Sequence, residues 1–243
     1  MENAYLGIGS RKPILTPEIL YKKSRLRLDP ATNEVRLIPL SFPTAEGMSV
    51  NTDAACENRE TLHRKGPVKN CSCGFYAYRY HHDAQNHNQG GEFVLRVVGS
   101  GKMFEYKKGY RYGHQRLEEI IISGCIDKDC TDSADRIGIR VSDGALYPVC
   151  YHHAATTEEQ KITSFSELGT MASLSLPSAA PRITVRSTDP AVVPWEKGQR
   201  LPMRQSFRIK NFRESAMEGA LMGVAFAATY AALTLVTKVG RQA

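Results

Sequence analysis

Apolar and polar positions alternate along the first forty residues in a way that predicts two short strands. The strands are predicted at residues 21–28 and 33–40, with the turn between them at 29–33. Long helices are not expected here because five prolines interrupt the first 50 residues. At strand spacing, three basic side chains of the first strand share one face: Lys23, Arg25 and Arg27. We interpret this face as part of a solvated edge strand, and the alternative is a phosphate-binding strip.

A second group of apolar runs lies in the centre of the chain. Residues 92–98 and 102–107 predict two strands, and the glycine-rich residues 99–101 predict a turn between them. Residues 115–122 predict a helix, because three apolar side chains have helical spacing: Leu117, Ile120 and Ile121. The alternating residues 136–149 contain an Asp-Gly pair and predict a β-hairpin.

The composition changes after the centre of the chain. Residues 158–168 predict a short helix, and residues 169–202 are rich in serine, alanine, proline and threonine, which is typical of a linker or an arm. Within that segment, residues 182–186 predict a strand that can add to a sheet. Residues 219–236 carry no charge and predict a helix about 27 Å long, which just reaches across a bilayer core.

The predicted C-terminal helix has a stripe of small residues at every fourth position: Gly219, Gly223, Ala227 and Ala231. Such a stripe allows two membrane helices to pack closely and indicates a homo-oligomer. The basic segment 197–213 precedes it and would contact the anionic cytoplasmic face of a membrane, or nucleic acid. The alternative for the helix is a buried position in a soluble assembly.

The overall composition allows a folded core and favours anionic partners. Of the 243 residues, 42% are hydrophobic and 23% are charged, so wholesale disorder is not expected. The formal net charge of +7 favours nucleic acid or an acidic membrane face, and ordinary solubility charge is the alternative. The first residues lack the apolar stretch of a signal peptide, so metal binding by the six cysteines is expected rather than disulfide formation.

The first cysteine group has the spacing C-x6-H-x7-C-x-C. Its predicted ligands are Cys56, His63, Cys71 and Cys73. Three thiolates and one imidazole are the ligands of a closed structural zinc site. Gly74 follows the C-x-C pair and gives the backbone the freedom to turn both thiolates towards one ion. The alternative is a reduced cysteine pair unrelated to Cys56 and His63.

The second cysteine group has the spacing C-x4-C-x19-C-x2-H, which is similar to that of a zinc ribbon. Its predicted ligands are Cys125, Cys130, Cys150 and His153, with His152 as the competing fourth ligand. A disulfide or free thiols are the alternatives. The two groups together use all six cysteines, which supports two structural zinc ions per chain.

Several of these residues form a pattern that resembles a known domain. The residues are Cys71-Ser72-Cys73-Gly74-Phe75-Tyr76-Ala77, then Gly101 and Glu105, then Gly109-Tyr110-Arg111. The pattern resembles an uncharacterised domain common in actinobacterial and actinobacteriophage proteins, over residues 45–155. The family usually has tryptophan where this chain has Ser100, and alanine where it has Tyr112. The resemblance implies no known activity, favours His153 as the ligand and implies that both cysteine groups belong to one module.

These observations predict an α+β fold: a small zinc-stapled β-hairpin module with short helices and a long apolar C-terminal helix. The expected parts are an N-terminal strand and loop region at 1–50, a zinc-binding module at 51–160, a linker and basic segment at 161–213, and the apolar helix at 214–239.

We expect a non-enzymatic interaction protein with a protein partner, anchored by its C-terminal helix at the cytoplasmic face of a membrane. The first alternative is a soluble, cytoplasmic nucleic-acid-binding zinc protein that uses Arg136, Arg140 and the basic segment. The second is a virion-associated structural subunit. No catalytic activity is expected, because the chain contains no P-loop, no Rossmann glycine pattern and no nucleophile elbow.

Overall fold

The computed structural model describes residues 9–14, 16–40, 47–56, 66–68, 71–86, 93–127, 129–154 and 160–196. They belong to one compact unit that comprises residues 1–199. The described elements, in chain order, are β1 (Gly9–Ile14), β2 (Glu18–Leu28), β3 (Val35–Ile38), β4 (Asn51–Asp53), β5 (Phe75–Tyr78), α1 (His81–Gln85), β6 (Phe93–Tyr106), β7 (Gly109–Ile122), β8 (Arg136–Arg140), β9 (Ala145–Val149), α2 (Tyr151–Ala154), β10 (Gln160–Thr163), α3 (Phe165–Ser173) and β11 (Thr184–Ser187).

The long hairpin of β6 and β7 is the centre of the sheet. Strand β6 pairs with β2 and β1 on its other side, and β7 pairs in turn with β5, β4 and, in parallel orientation, β11. A single bridge between Tyr21 and Tyr78 joins β5 to β2, so the pairings of β2, β6, β7 and β5 form a closed circuit. Other strands therefore pair with both outer edges of the central hairpin, so these edges are protected.

Strand β2 connects this part of the sheet to a second group of strands. Its first half pairs with β6, and its second half lies between β3 and β9. Strand β9 pairs in turn with β8, and β8 pairs with β10. The interpretation of residues 21–28 as an edge strand is therefore wrong. Lys23 is only 9% exposed, whereas Arg25 two residues later is exposed.

The prediction of a helix at residues 115–122 is also wrong, because these residues form the second half of β7. A register shift explains the misleading pattern. Arg96 of β6 is opposite Glu119, but the next residue, Val97, is opposite Leu117, so Glu118 is an extra residue in β7. Beyond such a bulge, alternate side chains point to the opposite face of the strand. Leu117 and Ile120 therefore enter the same core although they are three residues apart, which is a helical spacing.

The turn predicted at residues 99–101 is absent, and β6 runs straight through this segment. The glycines serve packing and a strand irregularity instead. A Cβ atom on Gly99 would lie 2.8 Å from Leu20 Cδ1, and Gly101 has a φ of +75° at a shift of register between Ser100 and Met103. The hairpin between residues 136 and 149 is confirmed as β8 and β9, and the two N-terminal strands are confirmed as β2 and β3.

One hydrophobic core joins most of these elements. It contains side chains from β2, β3, β6, β7, β8, β9 and α3, and Ile183 just before β11. Helix α3 begins later than the predicted helix at 158–168 because Ser164 caps it: the Ser164 hydroxyl accepts the amide of Glu167 at 3.1 Å, and the Glu167 carboxylate accepts the amide of Ser164 at 3.1 Å. Segments from residues 1–50, 51–160 and 161–196 therefore share one core.

The α+β prediction is wrong, since the described residues form a mostly antiparallel sheet with three short helices. The apolar runs of the centre are strands buried against neighbouring strands, and the segment after 160 adds β10, α3 and β11 to the same structure. The basic segment 197–213 and the long apolar helix at 214–239 lie outside the described residues. None of the three described helices has the length and apolar character needed to cross a bilayer.

Candidate metal centres

The second cysteine group is brought together by three separate elements. Cys125 and Cys130 lie in the loop that follows β7, Cys150 comes directly after β9, and His153 lies in α2. One ligand atom from each of these four residues lies within 4.8 Å of all the others. Because the β8–β9 hairpin returns the chain to the loop after β7, ligands separated by 19 residues in sequence become neighbours.

The distances within this group fit ligands around one ion. Cys130 Sγ is 3.7 Å from Cys150 Sγ. The Nδ1 atom of His153 is 3.3 Å from Cys150 Sγ and 3.5 Å from Cys125 Sγ. The thiols are free, and the sulfur separation of 3.7 Å is far longer than the roughly 2.05 Å of a disulfide bond.

The imidazole of His153 is oriented by a carboxylate on its far side. Its Nε2 atom lies 3.0 Å from Asp127 Oδ2, which leaves Nδ1 facing the sulfur atoms. An outer carboxylate of this kind fixes the ring orientation of a metal-binding histidine. His152 points elsewhere: its side chain is 67% exposed, and its Nε2 atom lies 3.8 Å from Asp132 Oδ2.

Backbone amides also point at the sulfur atoms of this group. Burial opposes ionisation of Cys150, but hydrogen bonds from the backbone and ring of His153, from the Cys130 thiol and from the backbone of His152 together lower the pKa of this thiol. Burial raises the pKa of Cys125, and it raises the pKa of Cys130 to about 11, although the amides of Asp127 and Asp132 respectively oppose these changes. Bonds from amides to three sulfur atoms would stabilise the thiolates that a bound cation requires.

The first cysteine group is assembled by loops around β4 and β5. Cys56 follows β4, and Cys71 and Cys73 precede β5. Their three sulfur atoms lie within 4.8 Å of one another, and Cys56 Sγ is 3.6 Å from Cys71 Sγ. His63, the predicted fourth ligand, lies outside the described residues. The structure thus contains two groups that can hold a metal ion, one of four described ligands and one of three.

The backbone around the C-x-C pair turns at Gly74, which has a φ of +119°. Few other residues adopt this conformation. A Cβ atom at this position would also lie 2.9 Å from Pro67 Cβ and 3.0 Å from Arg111 Cγ. Burial raises the pKa of Cys73, although the amide of Val68 donates to this thiol and opposes the change.

Arg111 organises the first group, a role that we did not predict from the sequence. It lies in β7 and is only 3% exposed. Its guanidinium donates to the backbone oxygen of Cys71 and, at 3.1 Å, to that of Val68, and it lies 5.1 Å from the centre of the Phe104 ring. The available signal was its place in the Gly-Tyr-Arg motif of the resemblance.

The two motifs of the resemblance lie on adjacent strands. Strand β5 carries the Phe-Tyr-Ala residues, and its Ala77 pairs with Tyr110 of β7. The strands approach closely at Gly109, where a Cβ atom would lie 2.0 Å from the backbone oxygen of Ala77. Gly109 therefore brings β7 against β5, and Arg111 two residues later reaches the cysteine loop.

A second buried arginine lies next to the four-ligand group. Arg136 is 5% exposed and forms two hydrogen bonds with Asp135, at 3.0 and 2.8 Å. Its guanidinium stacks over the rings of Tyr151 and Trp195, 5.2 and 5.3 Å from their centres. Because Tyr151 directly follows Cys150, this stack holds the segment that ends at Trp195 near the metal group. Arg136 is therefore buried and paired, which removes it from the set of surface phosphate ligands.

Comparison with protein-family models, with curated proteins and with solved structures found no significant match.

Proposed function

We propose that the chain is a non-enzymatic interaction protein whose sheet is stabilised by two structural zinc ions. The observation that carries this proposal is the convergence of Cys125, Cys130, Cys150 and His153. Tetrahedral zinc, with bonds of about 2.3 Å to sulfur and about 2.05 Å to nitrogen, separates its ligand atoms by about 3.8 Å for two sulfurs and about 3.6 Å for sulfur and nitrogen. The corresponding distances here are 3.7 Å for the sulfur pair and 3.3 and 3.5 Å for sulfur and nitrogen.

The ligand set favours a structural ion rather than a catalytic one. Three thiolates and an imidazole complete a tetrahedral shell, so no position remains for a water molecule or a substrate. Thiolates select zinc over the hard cations magnesium and calcium. We assign His63 as the fourth ligand of the first group, with Cys56, Cys71 and Cys73, on the basis of its spacing in the sequence.

Metal content tests the two-zinc proposal directly. Reduced, freshly purified protein should contain two zinc ions per chain. His153→Ala should lower this number to one, and so should Cys71→Ser. His152→Ala is the matched control and should retain two ions, because this exposed neighbour lies outside the ligand group. Near-zero zinc in the wild-type protein, or two ions in His153→Ala, would overturn the assignment.

We further propose that the apolar segment 214–239 tethers the protein to the cytoplasmic face of a membrane. The support is the charge-free sequence of 219–236 after the basic segment 197–213. Full-length protein should then sediment with membranes, and a chain that ends at residue 213 should remain in the soluble fraction. Full-length protein that stays soluble would contradict the tether, while the zinc proposal would be unaffected.

A further inference from the structure

A concave surface lies beside the four-ligand metal group, on the face of β2, β8 and β9 that points away from the core. It encloses about 310 Å³ and includes four large polar side chains: Arg25, Arg27, Arg140 and Tyr147. Ile126, which directly follows the ligand Cys125, forms part of its wall. We call this surface the arginine groove.

Strand register explains why this surface is concave. Arg27 of β2 is opposite Ala145 of β9. On the other side of β9, Gly138 of β8 pairs with Tyr147 and Ile139 pairs with Leu146. This register places Arg140 opposite the same Ala145. Arg27 and Arg140 therefore flank a residue whose side chain is one methyl group. Two residues further along β9, Tyr147 pairs with Gly138 of β8, and this glycine has no side chain. The large side chains form the walls and the small residues form the floor.

The groove has an excess of positive charge. Among the described residues, it contains three arginines and one carboxylate, Asp143, which lies 3.3 Å from Arg140. That pair is about half exposed, so it is weak and open to exchange with an incoming anion. Within the described part of the chain, the side chain of Arg25 is exposed and has no hydrogen bond or ion pair, and the buried Nε of Arg27 has no hydrogen-bond partner. The exposed guanidinium of Arg25 is therefore available to a ligand.

The shape and chemistry of the groove favour one class of ligand. Guanidinium groups bind phosphate oxygens through two parallel hydrogen bonds. The aromatic ring of Tyr147 lies among them, with the guanidinium of Arg140 6.0 Å from its centre. Arginines interleaved with an aromatic ring are typical of surfaces that bind single-stranded nucleic acid, where bases are free to stack on a ring. A flat membrane surface would not reach into a concave site of this size.

We propose that the arginine groove binds single-stranded nucleic acid, with Arg25, Arg27 and Arg140 on phosphates and Tyr147 stacked against a base. This inference rests on the proposed interaction function and names its partner class. The second metal group contributes by holding Ile126 and the end of β9 in place at the rim.

The test is fluorescence anisotropy of a labelled twelve-nucleotide oligothymidylate, titrated with full-length, zinc-loaded protein at several salt concentrations. The test variant is Arg25→Ala/Arg140→Ala. The matched control is Arg96→Ala/Arg186→Ala, which removes the same charge from two partly exposed arginines that pair with Glu118 and Glu119. Both variants keep the basic segment 197–213, so its contribution cancels.

We expect the groove variant to lose at least tenfold in affinity and the slope of log affinity against log salt to fall by about 1.4, as for two phosphate contacts. The control should lose less than twofold. Tyr147→Leu should lose about fivefold or more with the salt slope unchanged, because stacking does not depend on counterions. Equal losses in the two double variants, or no loss in Tyr147→Leu, would overturn the proposed groove.

Two competitors separate the possible sources of the signal. Unlabelled oligonucleotide should displace the probe, while polyglutamate and vesicles of anionic lipid at equal charge should not. Equal displacement by polyglutamate or by vesicles would overturn the nucleic-acid assignment. Zinc content measured on the same samples keeps the two proposals distinct. A protein that contains two zinc ions but does not bind the oligonucleotide would refute the groove proposal alone. A protein that binds through the groove but contains no zinc would refute the structural-zinc proposal alone.

Discussion

Replacement of Arg111 by methionine tests whether one buried side chain organises the first metal group. Methionine keeps most of the apolar stem that packs in the sheet but removes the guanidinium. The loop that carries Cys71 then loses its charged donor to the backbone oxygen of Cys71, and the backbone oxygen of Val68 loses one of its two donors. Val68 keeps the amide of Cys71, which donates to it at 3.1 Å.

The expected cost follows from these contacts. A hydrogen bond from a charged donor contributes about 1.5–3 kcal/mol, and the shared bond to Val68 less. Stacking on the Phe104 ring adds about 1–2 kcal/mol, because this contact is buried. Together these values predict a loss of about 2.5–5 kcal/mol in the free energy of unfolding. If this entire loss arises because the cysteine loop is less ordered, the zinc affinity of the first group falls by at most about 60-fold to several thousandfold.

Two measurements check this prediction: urea unfolding of the zinc-loaded protein, and zinc affinity by competition with a chromophoric chelator. The control is Arg116→Met on the same strand, because this side chain is 37% exposed and pairs with Glu118. It should change stability by less than about 1 kcal/mol. The affinity of the second group should be unchanged in both variants. An Arg111→Met protein as stable as the control, or one that loses affinity equally at both groups, would refute the reasoning.

Two further predictions concern the orientation of a ligand and the packing of two strands. Asp127→Asn should weaken zinc binding by the second group about 10- to 100-fold and leave the first group unchanged, because Asp127 orients the His153 ring. Chelator competition measures it, and unchanged affinity would show that the carboxylate has no orienting role. Gly109→Ala should lower the free energy of unfolding by at least about 2 kcal/mol, because the new Cβ would meet the Ala77 oxygen at 2.0 Å. Gly124→Ala is its matched control in urea unfolding, since nothing lies within 4 Å there, and equal stability of the two variants would contradict the close approach.

Some elements were predictable because their signals are local. The β8–β9 hairpin follows from alternating side chains around an Asp-Gly turn, and the short spacings of the cysteines follow from the ligand needs of a metal ion. A turn of the backbone at Gly74 was likewise expected from its place behind the C-x-C pair, and in the structure this residue has a positive φ. In each case the residues that decide the structure are neighbours in the chain.

Other elements were not predictable because distant strands decide them. The bulge at Glu118 exists only in the pairing of β7 with β6, and it converts a strand into a pattern with helical spacing. In isolation, Gly99 predicts a turn. In the structure, glycine is needed at this position because the Leu20 side chain packs where a Cβ atom would lie. Strand β2 has basic residues typical of an edge. It is an interior strand because β6 and β9, which come from far along the chain, pair with it in addition to the neighbouring strand β3.

For the two metal groups, the amino-acid sequence specified which residue types recur at ligand spacing, because that spacing depends on short loops. The tertiary structure decided how those residues are held. It brought Asp127 behind His153 and placed the buried guanidinium of Arg111 beneath the cysteine loop. It also aligned Arg25, Arg27 and Arg140 around two small residues. These arrangements depend on register between strands that are up to about 120 residues apart, and local preferences carry no information about register.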